Sequence, residues 1–328
     1  MRKFRVLLLT VFGGIFTLLA IGLVYQAQAT TRDAEAYPPN GRMIDVGGYA
    51  LHIQCEGEGS PTLVVESGSG TWSLMWAHLL PRLAERTRTC VYDRAGYGWS
   101  ESSGKPHTAA NSADDLHAVL TNAQITPPYV LVGHSYGGWV VRVFQDRFPN
   151  EVVGVVLAEA SHPEQWGRLP ASFIEGANRQ AQLLNMMTSL APFGLPRLLV
   201  PDDPYLSDDL QPAYHAAMGL GRSYEALGSE FGQVIVSGQQ AAQTGNLGDI
   251  PLAVVSAENS LQAFAVIDPN LPFDEANRVW RTLQEELAAL STHSVHLVST
   301  RGDHYIHATD PDLVLAGVDW VLNALAQD

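Results

Sequence analysis

Positive charge is in short supply in this 328-residue sequence: 19 Lys and Arg stand against 34 Asp and Glu, for a formal net charge of −15. A surface of that sign argues against nucleic acid as a partner and suits solubility. No internal repeat, long low-complexity tract or run of like charges occurs, which sets aside solenoids and charged tails. Cysteine is limited to Cys55 and Cys90, too few for a small disulfide-stapled scaffold. What remains suits one large α/β domain with an insertion, or two small domains, with enough chain to bury a sizeable core.

Long uncharged apolar runs are equally scarce, and the one present lies at residues 6–25, behind Arg2, Lys3 and Arg5. It is apolar on every face and precedes a polar linker, residues 26–40, so a helix crossing a bilayer is expected in place of a buried core helix. The positive flank stays in the cytoplasm and the remainder is exported. Ala27-Gln28-Ala29 offers a signal-peptidase site and hence a secreted alternative. The run exceeds the roughly 7–15 apolar residues of a cleaved signal, which favours an anchor that is kept.

Further on, residues 43–46 and 49–55 read as a hairpin about Gly47-Gly48. Continuous apolar strands are expected at 62–66, 89–92, 129–132, 152–158, 251–256 and 295–300, with amphipathic helices between them. Ser112-Ala113-Asp114-Asp115 has the form of a capping box, and Asp310-Pro311 that of a cap with Pro at the first helical position. This alternation means a mainly parallel sheet covered on both faces. Between 164 and 248 the rhythm breaks, and residues 233–236 fit either strand or helix. A helical insertion over the sheet's catalytic edge is expected there, with Met186, Met187, Phe193, Leu195, Leu198 and Leu199 facing a pocket. The chain therefore divides into an anchor and linker (1–40), a core (41–163 and 249–328) and a helical cap (164–248).

The core is organised around Gly133-His134-Ser135-Tyr136-Gly137-Gly138, a Gly-x-Ser-x-Gly between an apolar strand and an amphipathic helix. Glycines two residues either side of Ser135 permit a turn too tight for larger side chains, which lifts the hydroxyl above the sheet edge. The helix after this turn aims its unpaired N–H groups at whatever Ser135 attacks. Serine needs a base, and His304, in the loop after the last strand, is best placed, with His307 second. A metal held by that pair lacks a third ligand. A carboxylate should fix the imidazole tautomer, and Glu159 and Glu258 both end strands at the right edge. Glu159 is favoured because the apolar run itself delivers it.

Taken together, the Ser135 turn, the loop Asp93-Arg94-x-Gly-x-Gly-x-Ser100 and Gly302-Asp303-His304 resemble the α/β-hydrolase superfamily, specifically its serine-nucleophile branch with a helical cap. The resemblance runs from about Gly41 to the C-terminus. It implies an eight-stranded, mainly parallel sheet, with Ser135 as nucleophile and His304 as base. It also implies an oxyanion hole made by the N–H of Tyr136 and one from the Ser67–Gly70 loop, where Ser69 is the candidate. Two departures stand out: Glu66-Ser67-Gly68 replaces the His-Gly of many relatives, and the segment after Ser256 lacks the Asp that many place there. Related dehalogenases and epoxide hydrolases use an Asp nucleophile, which Ser135 argues against. The implied strand order sets the second strand antiparallel to the fourth, with Cys55 against Cys90 and a disulfide between them.

The expected activity is cleavage of a carboxylic ester, or in second place an amide, without metal or cofactor. The substrate is expected to be a small molecule with a hydrophobic part, and the lipid bilayer the other partner. A cap-gated aminopeptidase, using Asp202, Asp203, Asp208 or Asp209 to hold an amino terminus, and a non-catalytic binding protein on the same shell are the alternatives.

Overall fold

The computed structural model describes residues 2–266 and 268–327. Helix α1 (Arg2–Ala36) leads into strands β1 (Arg42–Asp45), β2 (Ala50–Glu56) and β3 (Thr62–Glu66). Helix α2 (Leu80–Ala84), β4 (Thr89–Tyr92), α3 (Ala109–Asn122), β5 (Tyr129–His134), α4 (Gly137–Arg147) and β6 (Val152–Ala158) come next. An insertion then contributes α5 (Gln165–Arg168), α6 (Ala171–Leu190), α7 (Pro196–Leu199), α8 (Gln211–Met218), α9 (Gly221–Gly232) and α10 (Val234–Ala242). The chain closes with β7 (Leu252–Ala257), α11 (Phe273–Ala288), β8 (Ser294–Ser299), α12 (Ile306–Thr309) and α13 (Pro311–Leu325).

The eight strands form one sheet in the order β1-β2-β4-β3-β5-β6-β7-β8, parallel from β4 to β8 with β1 and β2 antiparallel at one edge. Side chains alternate across the central strands, so successive residues serve two different cores. Val64 and Leu131 pack with Leu116, Val140 and Phe144 on one face. Leu63, Val65, Val130 and Val132 pack with Leu79, Leu83, Val314 and Val318 on the other. Strands covered on both faces need no polar side, which is why β3, β5 and β7 are buried at every position. Cys55 lies opposite Cys90 in the β2/β4 register, and the two form a disulfide.

Three local expectations are corrected, and one left open between strand and helix is decided. The polar segment after residue 25 is not a linker, because α1 continues to Ala36. Its alanines, glutamines and charged residues are good helix formers, and no proline appears before Pro38. Helix α3 begins at Ala109 with Thr108 as cap, its Oγ1 accepting from the Asn111 N–H at 3.2 Å, so Ser112 lies inside the first turn. Residues 234–236 are helical, within α10. Asp310 does precede α13, but its carboxylate accepts from Ser299 and pairs with Arg301, both at 2.6 Å, in place of capping.

The insertion corrects a further expectation. Leu195, Leu198, Leu199 and Met186 stand at the surface, 36%, 71%, 61% and 51% exposed, and not against Ser135.

Candidate active site

Ser135 follows β5 directly and has φ 51°, in the left-handed region that a non-glycine residue adopts only under constraint. The constraint is visible in the hydrogen bonds. Its N–H donates to the Ala158 carbonyl at 3.3 Å, and its carbonyl accepts from the N–H groups of Gly138 and Ser161 at 2.9 Å each. The turn is thereby stitched to the end of β6, with the hydroxyl at the start of α4.

His304, between β8 and α12, places Nε2 3.0 Å from Ser135 Oγ and Nδ1 3.3 Å from Glu159 Oε2. A carboxylate only accepts, so Nδ1 carries the proton and Nε2 turns its lone pair to the serine hydroxyl. The backbone of His304 is held on both sides. Its N–H donates to the Ser260 carbonyl at 3.0 Å, and its carbonyl accepts from His134 Nε2 at 2.8 Å. Burial pushes the pKa of His134 down to about 3, so this residue beside Ser135 stays neutral, with its one proton committed to that bond.

Glu159 is fully buried, ends β6, and also has a positive φ of 50°. Besides His304, its carboxylate accepts from the Ala257 N–H at 2.6 Å, Trp280 Nε1 at 2.9 Å and the Ser260 hydroxyl. Four donors compensate the burial of an acid that would otherwise be costly. Glu258 stands elsewhere: it is exposed, and its backbone carbonyl accepts from Arg281. His307 is buried against Trp76, ring centroids 4.6 Å apart, and desolvation takes its pKa well below the usual imidazole range.

Beside the serine runs the loop after β3. A Cβ on Gly68 would lie 3.0 Å from Ser135 Cβ and 2.7 Å from His134 Nδ1, so only glycine lets this backbone pass. Among the described residues, neither the Tyr136 N–H nor the Ser69 N–H has a hydrogen-bond acceptor. Arg94, itself 3% exposed, braces the loop from below. Its guanidinium donates to the carbonyls of Ser67 (2.5 Å) and Gly68 (2.7 Å), to Glu66 Oε1 (2.7 Å), and to Glu230 Oε1 on α9 (2.8 Å). Burial raises the pKa of Glu66 to about 7 against the pull of Arg94. One side chain thus ties the loop after β3 to the insertion.

Sequence reasoning missed Ser260, Trp280 and the Arg94–Glu230 bond. Trp280 reads as one more apolar position of α11, and the available signal was its indole N–H, which needs an acceptor when buried. Of the insertion's acids, Asp202 pairs with His215 at 2.8 Å, Asp203 accepts from the Tyr205 N–H, and Asp208 and Asp209 are exposed. Among the described residues none of the four bonds to Ser135 or His304.

A model described as "Alpha/beta hydrolase family" matches residues 63–317. The uncharacterized protein YqjL of Bacillus subtilis is 24% identical over 270 residues, covering 82% of this chain and 87% of its own length. Two further curated relatives are matched over only 20% and 52% of their own length. Among solved structures, the haloalkane dehalogenase DbeA of Bradyrhizobium elkani has a TM-score of 0.69 at 18% identity, over 88% of this chain and 99% of that one. The enol-lactonase of Burkholderia xenovorans has a TM-score of 0.60 at 20% identity, over 86% and 100%. At these identities the two structures speak for the fold.

Proposed function

We propose, from the premise that this chain belongs to the alpha/beta hydrolase family, that it is a membrane-anchored serine hydrolase cleaving carboxylic esters through an acyl-serine intermediate. The observation that carries the reading is the unbroken chain of contacts from Ser135 Oγ to His304 to Glu159, at 3.0 and 3.3 Å. In this mechanism Ser135 Oγ attacks the ester carbonyl as Nε2 of His304 takes its proton. The negative charge that develops on the carbonyl oxygen is held by the N–H groups of Tyr136 and Ser69. The imidazolium, steadied by Glu159, protonates the departing alkoxide and leaves an acyl-serine. Water, deprotonated by the same imidazole, then releases the acid and restores the hydroxyl.

The anchor half rests on α1, whose apolar stretch carries a mean hydropathy of 2.5 and is buried nowhere against the rest of the protein. Lys3 and Arg5 at its start favour a cytoplasmic position for that end and support a hydrolase domain outside.

The test is a panel of chromogenic esters graded by acyl length, offered to the purified full chain beside aminoacyl amides. Ester hydrolysis at a kcat on the order of 1 s⁻¹ or more for at least one chain length is expected. Failure on every ester, together with failure to react with a fluorophosphonate, points instead to a binding protein on a hydrolase shell.

A further inference from the structure

At 1.5 Å per residue, residues 6–25 span about 30 Å, one hydrocarbon thickness. With α1 as the anchor, Tyr25 marks where the helix leaves the bilayer. The helix does not stop there, and the insertion grips it at that level. The turn Ala191–Phe193 approaches so closely that a Cβ on Gly22 would come within 2.6 Å of the Phe193 carbonyl oxygen. Gly22 lies three residues inside the apolar span, so this turn is held at the depth of the membrane interface. Just beyond it, Arg197 on α7 donates to Gln26 Oε1 at 2.8 Å and pairs with Asp33. Gln26 in turn donates to the Gly219 carbonyl at 2.9 Å.

With Arg197 turned toward α1 and only 9% exposed at its side chain, and Pro196 buried, the two leucines of the α7 turn face outward. Leu195, Leu198 and Leu199 are the exposed apolar residues there. Between Arg179 and Asp202 the sole charged residue is Arg197. In a chain of net charge −15 this is a stretch stripped of the charge that dominates elsewhere, contiguous with the helix that enters the bilayer. An uncharged leucine edge at that height fits the interfacial layer, roughly 5–7 Å deep on each side of the hydrocarbon.

We propose, resting on the membrane-anchor reading of α1, that Leu195, Leu198 and Leu199 seat the insertion in the outer interface of the bilayer that α1 crosses, so that the hydrolase domain docks on the membrane instead of swinging from a tether. The test uses the full chain in phosphatidylcholine vesicles carrying a spin-labelled lipid at shallow or deep position. Single variants Leu198→Cys, Phe16→Cys and Thr292→Cys carry an environment-sensitive fluorophore; Phe16 is exposed at the middle of the apolar span, and Thr292 is exposed just before β8, at the edge where the parallel strands begin. The shallow label should quench the Leu198 probe severalfold more than the Thr292 probe, and the deep label should quench Phe16 most. A quenched Phe16 with Leu198 no different from Thr292 overturns the seating while leaving the anchor intact. A Leu198 probe shielded from aqueous iodide yet untouched by the lipid label means that a second copy of the chain covers the edge, which also overturns it. An unquenched Phe16 removes the anchor reading itself.

Discussion

Ser135→Ala is expected to lower ester kcat by about 10⁶-fold and to abolish covalent labelling by a fluorophosphonate, with thermal stability within about 1 kcal/mol of the parent. The size of the loss follows from the geometry. The imidazole has one partner to activate, Ser135 Oγ at 3.0 Å, and without the hydroxyl His304 and Glu159 have no nucleophile to serve. The small structural effect follows as well. The turn is held by backbone groups of Ser135, Ala158, Gly138 and Ser161, none of which changes in the variant. Steady-state kinetics, intact-protein mass after labelling and a melting curve check the three parts. Labelling that persists in the variant would mean that another residue is the nucleophile.

The second large effect concerns the acid. Glu159→Gln is expected to lower kcat by about 10⁴-fold, whereas Glu258→Gln changes it by less than about twofold. An amide at position 159 presents an oxygen on one side only, yet four donors converge there from His304, Ala257, Trp280 and Ser260. Its NH₂ must oppose at least one of them. With the NH₂ at the Oε2 position it faces His304 Nδ1 and favours the tautomer that turns a proton, not the Nε2 lone pair, toward Ser135; with the NH₂ at the Oε1 position it opposes the Ala257 N–H, and the imidazolium is left without a counter-charge. Because Glu159 is buried, lost activity could reflect lost fold, and a fluorophosphonate separates the two. A folded Glu159→Gln chain still labels at Ser135, slowly, while an unfolded one does not label. A larger loss in Glu258→Gln would reassign the acid.

Much of this arrangement was legible from local pattern. The strands β3, β5, β6 and β7 announce themselves because both faces are covered and no polar alternation is needed. The edge at which they end then limits where a base and an acid can stand, which is why Ser135, His304 and Glu159 could be named from loops far apart in sequence. What stayed hidden depends on partners that no local window contains. Arg94 and Glu230 meet across 136 positions, and nothing near Glu230 marks it as the acid that pairs with the arginine bracing the loop after β3. Asp310 has the pattern of a helix cap, yet Ser299 and Arg301 claim its carboxylate. The outward turn of Leu198 and Leu199 likewise has no local cause. It follows from Arg197 reaching back to Gln26 and Asp33 on α1, a contact set by tertiary structure. The continuation of α1 past Tyr25 was open to reading, since residues 26–36 contain no helix breaker, but their polarity drew attention away from their propensity.

The proposed function stands or falls on covalent transfer of the ester's acyl group to Ser135, a step that rapid-quench mass spectrometry can follow. The purified full chain is mixed with a slow chromogenic ester, quenched at successive times, and digested. A burst of alcohol release equal to the enzyme present is expected, together with a peptide spanning the Ser135 turn that gains the mass of the acyl group and then loses it. Steady turnover with no burst and an unmodified Ser135 at every time point, or the acyl group on a different residue, would overturn the acyl-serine reading.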